Sequence, residues 1–106
     1  MQLGKVLGTV VSTVKTENIK GLKLLLVQRL SHLNKPQDTY VVAVDVVEAG
    51  EGDVVLYSEG SSSRQTPPTD KRPIDGIIAA VVDTWEVGGK EIYNKFADST
   101  RKSAQD

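Results

Sequence analysis

The residues that could carry chemistry are concentrated in one short block, Gly60-Ser61-Ser62-Ser63-Arg64, which places three hydroxyls and a guanidinium beside a glycine. Such a block could supply a nucleophile, or it could bind an anion through successive N–H groups, hydroxyls and a cation. Serine is also common where a chain leaves a strand, because its hydroxyl satisfies nearby backbone groups. From the residue types alone, the structural interpretation is favoured.

A catalytic serine would need a base, and the only histidine is His32, in the stretch SHLNKPQD. No spacing links His32 to the serines and an oriented carboxylate, as a Ser-His-Asp triad requires. The block also lacks the second glycine of the G-x-S-x-G nucleophile elbow. We therefore predict a solvated loop histidine and no catalytic residues.

Metal and nucleotide sites are not supported by the motifs either. The chain has no cysteine, and its single histidine and scattered carboxylates show no ligand spacing. Gly50 and Gly52 in EAGEGD form only G-x-G, with Val55 in place of a third glycine, and no G-K-[ST] occurs. We interpret EAGEGD as a hairpin turn whose glycines take positive φ, and we expect no cofactor.

Composition points away from nucleic acid and lipid. The formal net charge is −1, so no overall field attracts a polyanion. Aromatic residues make up 5% of the chain and are not interleaved with Lys or Arg, as a single-strand-binding groove would require. The N-terminal segment MQLGKVLGTVV lacks the basic start and apolar core of a signal peptide, and no apolar run approaches the roughly 18 residues of a bilayer span. A cytoplasmic protein is expected.

The elements that position these residues are strands, because runs rich in Val and Thr alternate with glycine-containing turns. The run 22–30 fits a helical stripe as well as an alternating strand, and its short length favours the strand. In the first run, one face is predicted to hold Val6, Gly8, Val10, Ser12 and Val14. The strands are predicted at residues 3–14, 22–30, 39–47, 53–59, 77–87 and 90–94, with a tight turn at 87–90.

This pattern predicts an all-β domain, a small closed barrel or a sandwich, that spans residues 1–97. Residues 98–106 are polar and aperiodic, and a flexible C-terminal tail is expected there. With so few aromatic residues, valine and leucine must fill the core. A barrel that binds single-stranded nucleic acid or a small ligand remains an alternative at this point.

Five sequence blocks, in order, resemble the vertex proteins of bacterial microcompartments, the EutN/CcmL family. They are MQLGKVLGTVVSTVK, GLKLLLVQ, AVDVVEAGEGDVVL, GSSSR and RPIDGIIAAVVDT. The ending IYNK is most similar to the carboxysome members. One departure is Glu48, which stands where glycine is usual before Ala-Gly.

The resemblance implies a five-stranded OB-like barrel with a C-terminal hairpin, assembled as a cyclic pentamer. It implies that the pentamer closes the shell of a microcompartment, most similar to the carboxysome, which serves carbon dioxide fixation. It implies that the partners are other copies of the chain and hexameric shell proteins, with no nucleic acid and no membrane. Under this interpretation Gly60, Ser61, Ser62, Ser63 and Arg64 form a turn near the subunit interface or the central opening. Arg64 would then pair with a carboxylate of a neighbouring subunit.

Overall fold

Seven strands and their connections define the computed structural model, which describes residues 1–11, 22–59 and 76–97. Val- and Thr-rich segments adopt the strands because branched side chains pack well on a pleated surface. The strands are β1 (Gln2–Val10), β2 (Leu24–Leu30), β3 (Pro36–Asp45), β4 (Val54–Glu59), β5 (Gly76–Val81), β6 (Thr84–Val87) and β7 (Lys90–Asn94).

The first five strands form a closed barrel in the order β1-β2-β3-β5-β4. The barrel closes where β4 returns antiparallel to β1, with Gln2 opposite Tyr57. Only β3 and β5 run parallel, with Ala43 opposite Gly76. The all-β class and the small five-stranded, OB-like barrel predicted from the sequence are confirmed.

The barrel interior is filled by alternate residues of each strand. Val6, Val27 and Val41 lie opposite one another across β1, β2 and β3, and all three are buried. Aliphatic side chains and one tyrosine complete this cluster, as the scarcity of aromatic residues predicts. Its other buried members are Leu25, Ala43, Ala49, Val55, Tyr57 and Ile78.

Gly4 lies on the inner side of β1, where no side chain fits. A Cβ at this position would overlap Val27 Cγ1 and lie 2.7 Å from Tyr57 Cε1. The Tyr57 ring therefore packs directly over the β1 backbone, and the glycine is required by packing.

The C-terminal hairpin, β6–β7, covers part of the outer wall of the barrel. It turns at Gly88 and Gly89, with φ values of 59° and 82°, which confirms the tight turn predicted at 87–90. A second buried cluster of Leu30, Val54 and Tyr93 joins the hairpin to the barrel, with Leu3, Val82 and Trp85 packed against it.

Several predicted boundaries and turns differ from the structure. β3 begins at Pro36, inside the predicted loop, and the predicted strand 77–87 is interrupted at Val82 and Asp83. Val82 N there donates a hydrogen bond to Val54 O at 2.8 Å, next to the last pair of β4 and β5, Val55 and Val81.

The hairpin prediction for EAGEGD was wrong. The strands on either side, β3 and β4, do not pair with each other but are separated in the sheet by β5. Of its two glycines, only Gly52 has a positive φ, 90°. Across the described ranges, no helix is both long enough and apolar enough for a bilayer crossing.

Candidate interface surfaces

The predicted block of Gly60, Ser61, Ser62, Ser63 and Arg64 lies outside the described residues, as do residues 98–106. The structure does place both ends of the segment 60–75, because Glu59 at the end of β4 pairs with Gly76 at the start of β5. At Gly76 an added Cβ would lie 3.1 Å from Ser58 O, so the backbone is closely packed there.

His32 is exposed and lies in the loop between β2 and β3, as predicted. Its carbonyl accepts a hydrogen bond from Trp85 Nε1 at 2.8 Å, so its backbone anchors the hairpin. Ser31 Oγ accepts from the N–H groups of Leu33 and Lys35, at 3.2 and 3.1 Å, and closes the same loop. These contacts give the loop a structural role.

A groove of about 420 Å³ lies beside this loop. None of its lining residues is a carboxylate that could orient His32; they are Met1, Gln2, Leu3, Arg29, Leu30, Ser31, His32 and Gln37. In the described ranges, no three His, Asp or Glu residues are grouped to hold a metal ion.

The glycine segment EAGEGD is bound to carboxylates of its own chain. Gly50 N donates to Asp53 Oδ2 at 2.8 Å, and Ala49 N donates to Asp45 Oδ1 at 3.2 Å. Gly52 N donates to Val6 O at 2.9 Å. Because a phosphate would have to replace these acceptors, the segment is suited to closing the barrel end and not to binding a nucleotide.

Asp45 organises this end of the barrel. Its side chain is 1% exposed, and its Oδ1 also accepts from Val47 N at 3.0 Å. Lys23 Nζ lies 3.4 Å from Asp45 Oδ2 and donates to Ala49 O at 3.0 Å. The Oδ1 atom thus receives two backbone N–H groups and holds the following loop in place, whereas the buried Oδ2 has no hydrogen bond from the described residues and faces the Lys23 ammonium.

The loop held by Asp45 contains Glu48 in a left-handed conformation, with φ of 59°. This conformation crowds Cβ against the backbone and favours glycine.

An apolar row crosses the outer surface of three barrel strands. Gly8 on β1 lies opposite Leu26 on β2, and Leu26 lies opposite Val42 on β3. Val10 and Leu24 form the next pair in the same direction. We call Gly8, Val10, Leu24, Leu26 and Val42 the Gly8 face; all five are partly or substantially exposed, Val42 at 36%.

A polar row borders the Gly8 face on one side. Lys5 lies opposite Gln28, and Gln28 lies opposite Tyr40. Gln28 Nε2 donates to Gln37 O at 2.9 Å and lies 3.3 Å from the Tyr40 hydroxyl, which accepts from it. The apolar area thus has a hydrogen-bonded polar edge.

The face assignment for the first strand was wrong. Val6 points into the barrel, whereas Gly8 lies on the outer surface beside Leu26, because the register between β1 and β2 shifts between Val6 and Gly8. A bulge adds one residue, here Leu7, and reverses the alternation that follows. A glycine within a strand is the sequence signal that could have indicated it.

Comparison with known proteins identifies the family. A model of the EutN/CcmL family, described as "Ethanolamine utilisation protein EutN/carboxysome", matches residues 1–83. The chain belongs to the EutN/CcmL family. It is 48% identical over 98 residues to the carboxysome shell vertex protein CcmL of Synechocystis sp., a match that covers 92% of this chain and 98% of that protein.

Solved structures of family members have the same fold. CcmL of Gloeobacter violaceus matches with a TM-score of 0.83 and 41% identity, covering 91% of this chain and 99% of that chain. GrpN of Rhodospirillum rubrum, described as a pentameric microcompartment shell protein, matches with a TM-score of 0.73 and 47% identity, covering 82% and 99%. The resemblance noted in the sequence is confirmed, and these relatives are shell proteins and not enzymes.

Proposed function

We propose that this protein is a structural component of a bacterial microcompartment shell and forms the pentameric vertex that closes it. The observation that carries the proposal is the match to shell vertex proteins over nearly their whole length, 98% for the Synechocystis relative. The chain therefore contains the complete unit that serves as a vertex protein there. The nucleic-acid-binding alternative has no such support.

A ring of five copies suits this role geometrically. A layer made only of hexagonal units is flat, and it closes into a polyhedron only where five-fold units replace some hexagons. A cyclic pentamer arises when one surface of the chain contacts a different surface of the next copy and the rotation closes. Hexameric shell proteins are the partners that such a vertex would join.

The carboxysome is the compartment that the comparisons support best. Identity to the carboxysome relative and to GrpN is nearly equal, at 48% and 49%. The match to the carboxysome relative extends further, however, over 92% of this chain compared with 81%. A role in carbon dioxide fixation follows from that assignment.

The block of Gly60, Ser61, Ser62, Ser63 and Arg64 is proposed to lie at the subunit contact or the central opening. Arg64→Ala should weaken the ring more than Ser62→Ala, because loss of one neutral hydrogen bond costs only about 1 kcal/mol whereas an unpaired interfacial carboxylate costs more. Gly60→Val tests whether the turn needs a glycine. Native mass spectrometry with increasing denaturant measures each effect, and equal ring stability for Gly60→Val, Arg64→Ala and wild type would refute this placement.

The same proposal divides the chain at residue 97. Residues 1–97 form the shell domain, and the polar residues 98–106 are a tail that the ring does not need.

Native mass spectrometry of the purified chain tests the proposed function directly. The expected species has five times the mass of one chain at micromolar concentration. A stable monomer, dimer or hexamer would contradict the vertex role. In cells, deletion of the protein should leave elongated or open shells in electron micrographs, and normal closed shells in the absence of a paralogue would overturn the proposal.

A further inference from the structure

Gly8 is not explained by the packing of a single chain. A glycine inside a strand destabilises it by roughly 0.5–1 kcal/mol relative to alanine. At Gly4 this cost is offset because a Cβ would overlap Val27 and Tyr57, but at Gly8 a Cβ would meet nothing within 4 Å. The φ of Gly8 is also not in the left-handed region, so its backbone does not require glycine.

The neighbours of Gly8 leave apolar area in contact with water. Leu26 and Val42 flank it across β2 and β3, and Val10 and Leu24 extend the row. The nearest charge in the adjoining row is Lys5, beyond the apolar residues. An apolar centre with a polar edge of Lys5, Gln28 and Tyr40 has the composition of a protein interface and not of a solvated strand surface.

On the other flank of β1, the hairpin of the same chain covers part of the barrel wall. There Leu3 and Val54 pack with Tyr93 and Trp85 of the hairpin. None of the five residues of the Gly8 face belongs to this cluster.

We propose that the Gly8 face is a subunit contact of the ring and that a neighbouring copy of this chain covers it. This inference rests on the proposed function, which supplies the occupant, because a vertex ring places another copy against each barrel. The missing side chain at Gly8 leaves a notch beside Leu26 that lets a neighbouring segment approach the β1 backbone. The contact is heterologous, since a cyclic ring joins two different surfaces.

Gly8→Val tests the inference because it fills the notch without straining the chain itself. Valine has a higher strand propensity than glycine, so the thermal midpoint of the dissociated chain should be unchanged or higher. The concentration at which the pentamer dissociates should rise at least about tenfold above that of wild type. The matched control is Thr84→Val, which introduces the same residue at an exposed strand position of the hairpin, outside the face.

A second variant, Val42→Lys, places a charge on the same face at a position that is 36% exposed in the single chain. It should keep the circular dichroism of a folded barrel and shift the native mass spectrum towards monomer. It decides the question if Gly8→Val does not fold.

The outcomes separate the two proposals. If wild type is not pentameric, the proposed function fails, and this inference fails with it. A pentameric wild type supports the proposed function. If Val42→Lys and any folded Gly8→Val protein then assemble as wild type does, the Gly8 face is not a subunit contact of the pentamer. Assembly that is lost in both variants but kept in Thr84→Val supports the inference.

Discussion

Glu48 shows how a single residue can carry backbone strain. Its φ of 59° places Cβ close to the backbone, at a cost of about 1 kcal/mol for a residue other than glycine. The hydrogen bonds from Val47 N and Ala49 N to Asp45 Oδ1 hold the loop in this conformation despite that cost.

Glu48→Gly should therefore raise the free energy of unfolding by about 1 kcal/mol. Glu51→Gly is the control, because it removes the same charge from an exposed turn position whose φ is not positive. The control should be neutral or lower stability, since glycine gains more freedom in the unfolded chain. Urea unfolding at one pH measures both, and equal effects of the two substitutions would show that the φ of Glu48 carries no strain.

Tyr57 gives the barrel a titrating group in its interior. Burial of the ring raises the pKa of its phenol above the usual value of 10, the nearby charge of Glu59 raises it further, and Arg29 partly opposes this. The folded state therefore prefers the protonated phenol more than the unfolded state does. Stability from this group is fully present below pH 10 and is lost as the pH rises through the folded-state pKa.

Tyr57→Phe should remove part of the stability loss between pH 9 and about pH 11, because phenylalanine fills most of the same space without an ionisable group. The measurement is the urea midpoint of both proteins across that pH range. Tyr40→Phe, which changes an exposed tyrosine of the outer surface, is the comparison. Parallel pH curves for wild type and Tyr57→Phe would contradict the prediction.

At the scale of elements, the hairpin β6–β7 depends on the barrel for its stability, because a two-stranded sheet is marginal alone. Trp85 makes the connection in two ways. Its ring lies 5.2 Å from that of Tyr93, and its Nε1 donates to His32 O at 2.8 Å, across 53 residues of sequence.

Trp85→Phe keeps an aromatic ring and removes the hydrogen bond, so it should lower stability by about 1 kcal/mol. Trp85→Ala should cost more, because the contact with Tyr93 is lost as well. Circular dichroism must follow the unfolding, since Trp85 is the only tryptophan. If the two variants were equally stable, the aromatic contact between residue 85 and Tyr93 would contribute nothing to the free energy of unfolding.

At the scale of the whole molecule, β7 connects the hairpin to the barrel. Tyr93 on β7 is 7% exposed and belongs to the second buried cluster, and Lys95 N donates to Asp83 O at 2.8 Å. Removal of these residues would expose Leu30 and Val54.

A chain truncated after Ala97 should assemble as a pentamer with wild-type stability, because the residues removed are polar and offer little apolar area to bury. A chain truncated after Gly88 should lose stability and assemble less well. Native mass spectrometry and thermal unfolding test both proteins. Loss of the ring on removal of residues 98–106 alone would identify that segment as an assembly element.

The sequence by itself determined the all-β class, the aliphatic core, the hairpin turn at 87–90 and the family. These follow from local features: composition, alternation of period two, and glycines that permit a tight turn. It also indicated that 22–30 is a strand, which the structure has as Leu24–Leu30. Each of these features depends on residues that are close together in the chain.

Only the tertiary structure decided the parallel pairing of β3 with β5, the closure of β4 on β1, and the outward position of Gly8. Pairing joins distant segments, so strand order cannot be obtained from local periodicity. A one-residue bulge reverses every later side chain, and apart from the glycine itself the alternation of Val6, Gly8 and Val10 does not indicate it. The Gly8 face exists because of that reversal, which depends on the register between β1 and β2.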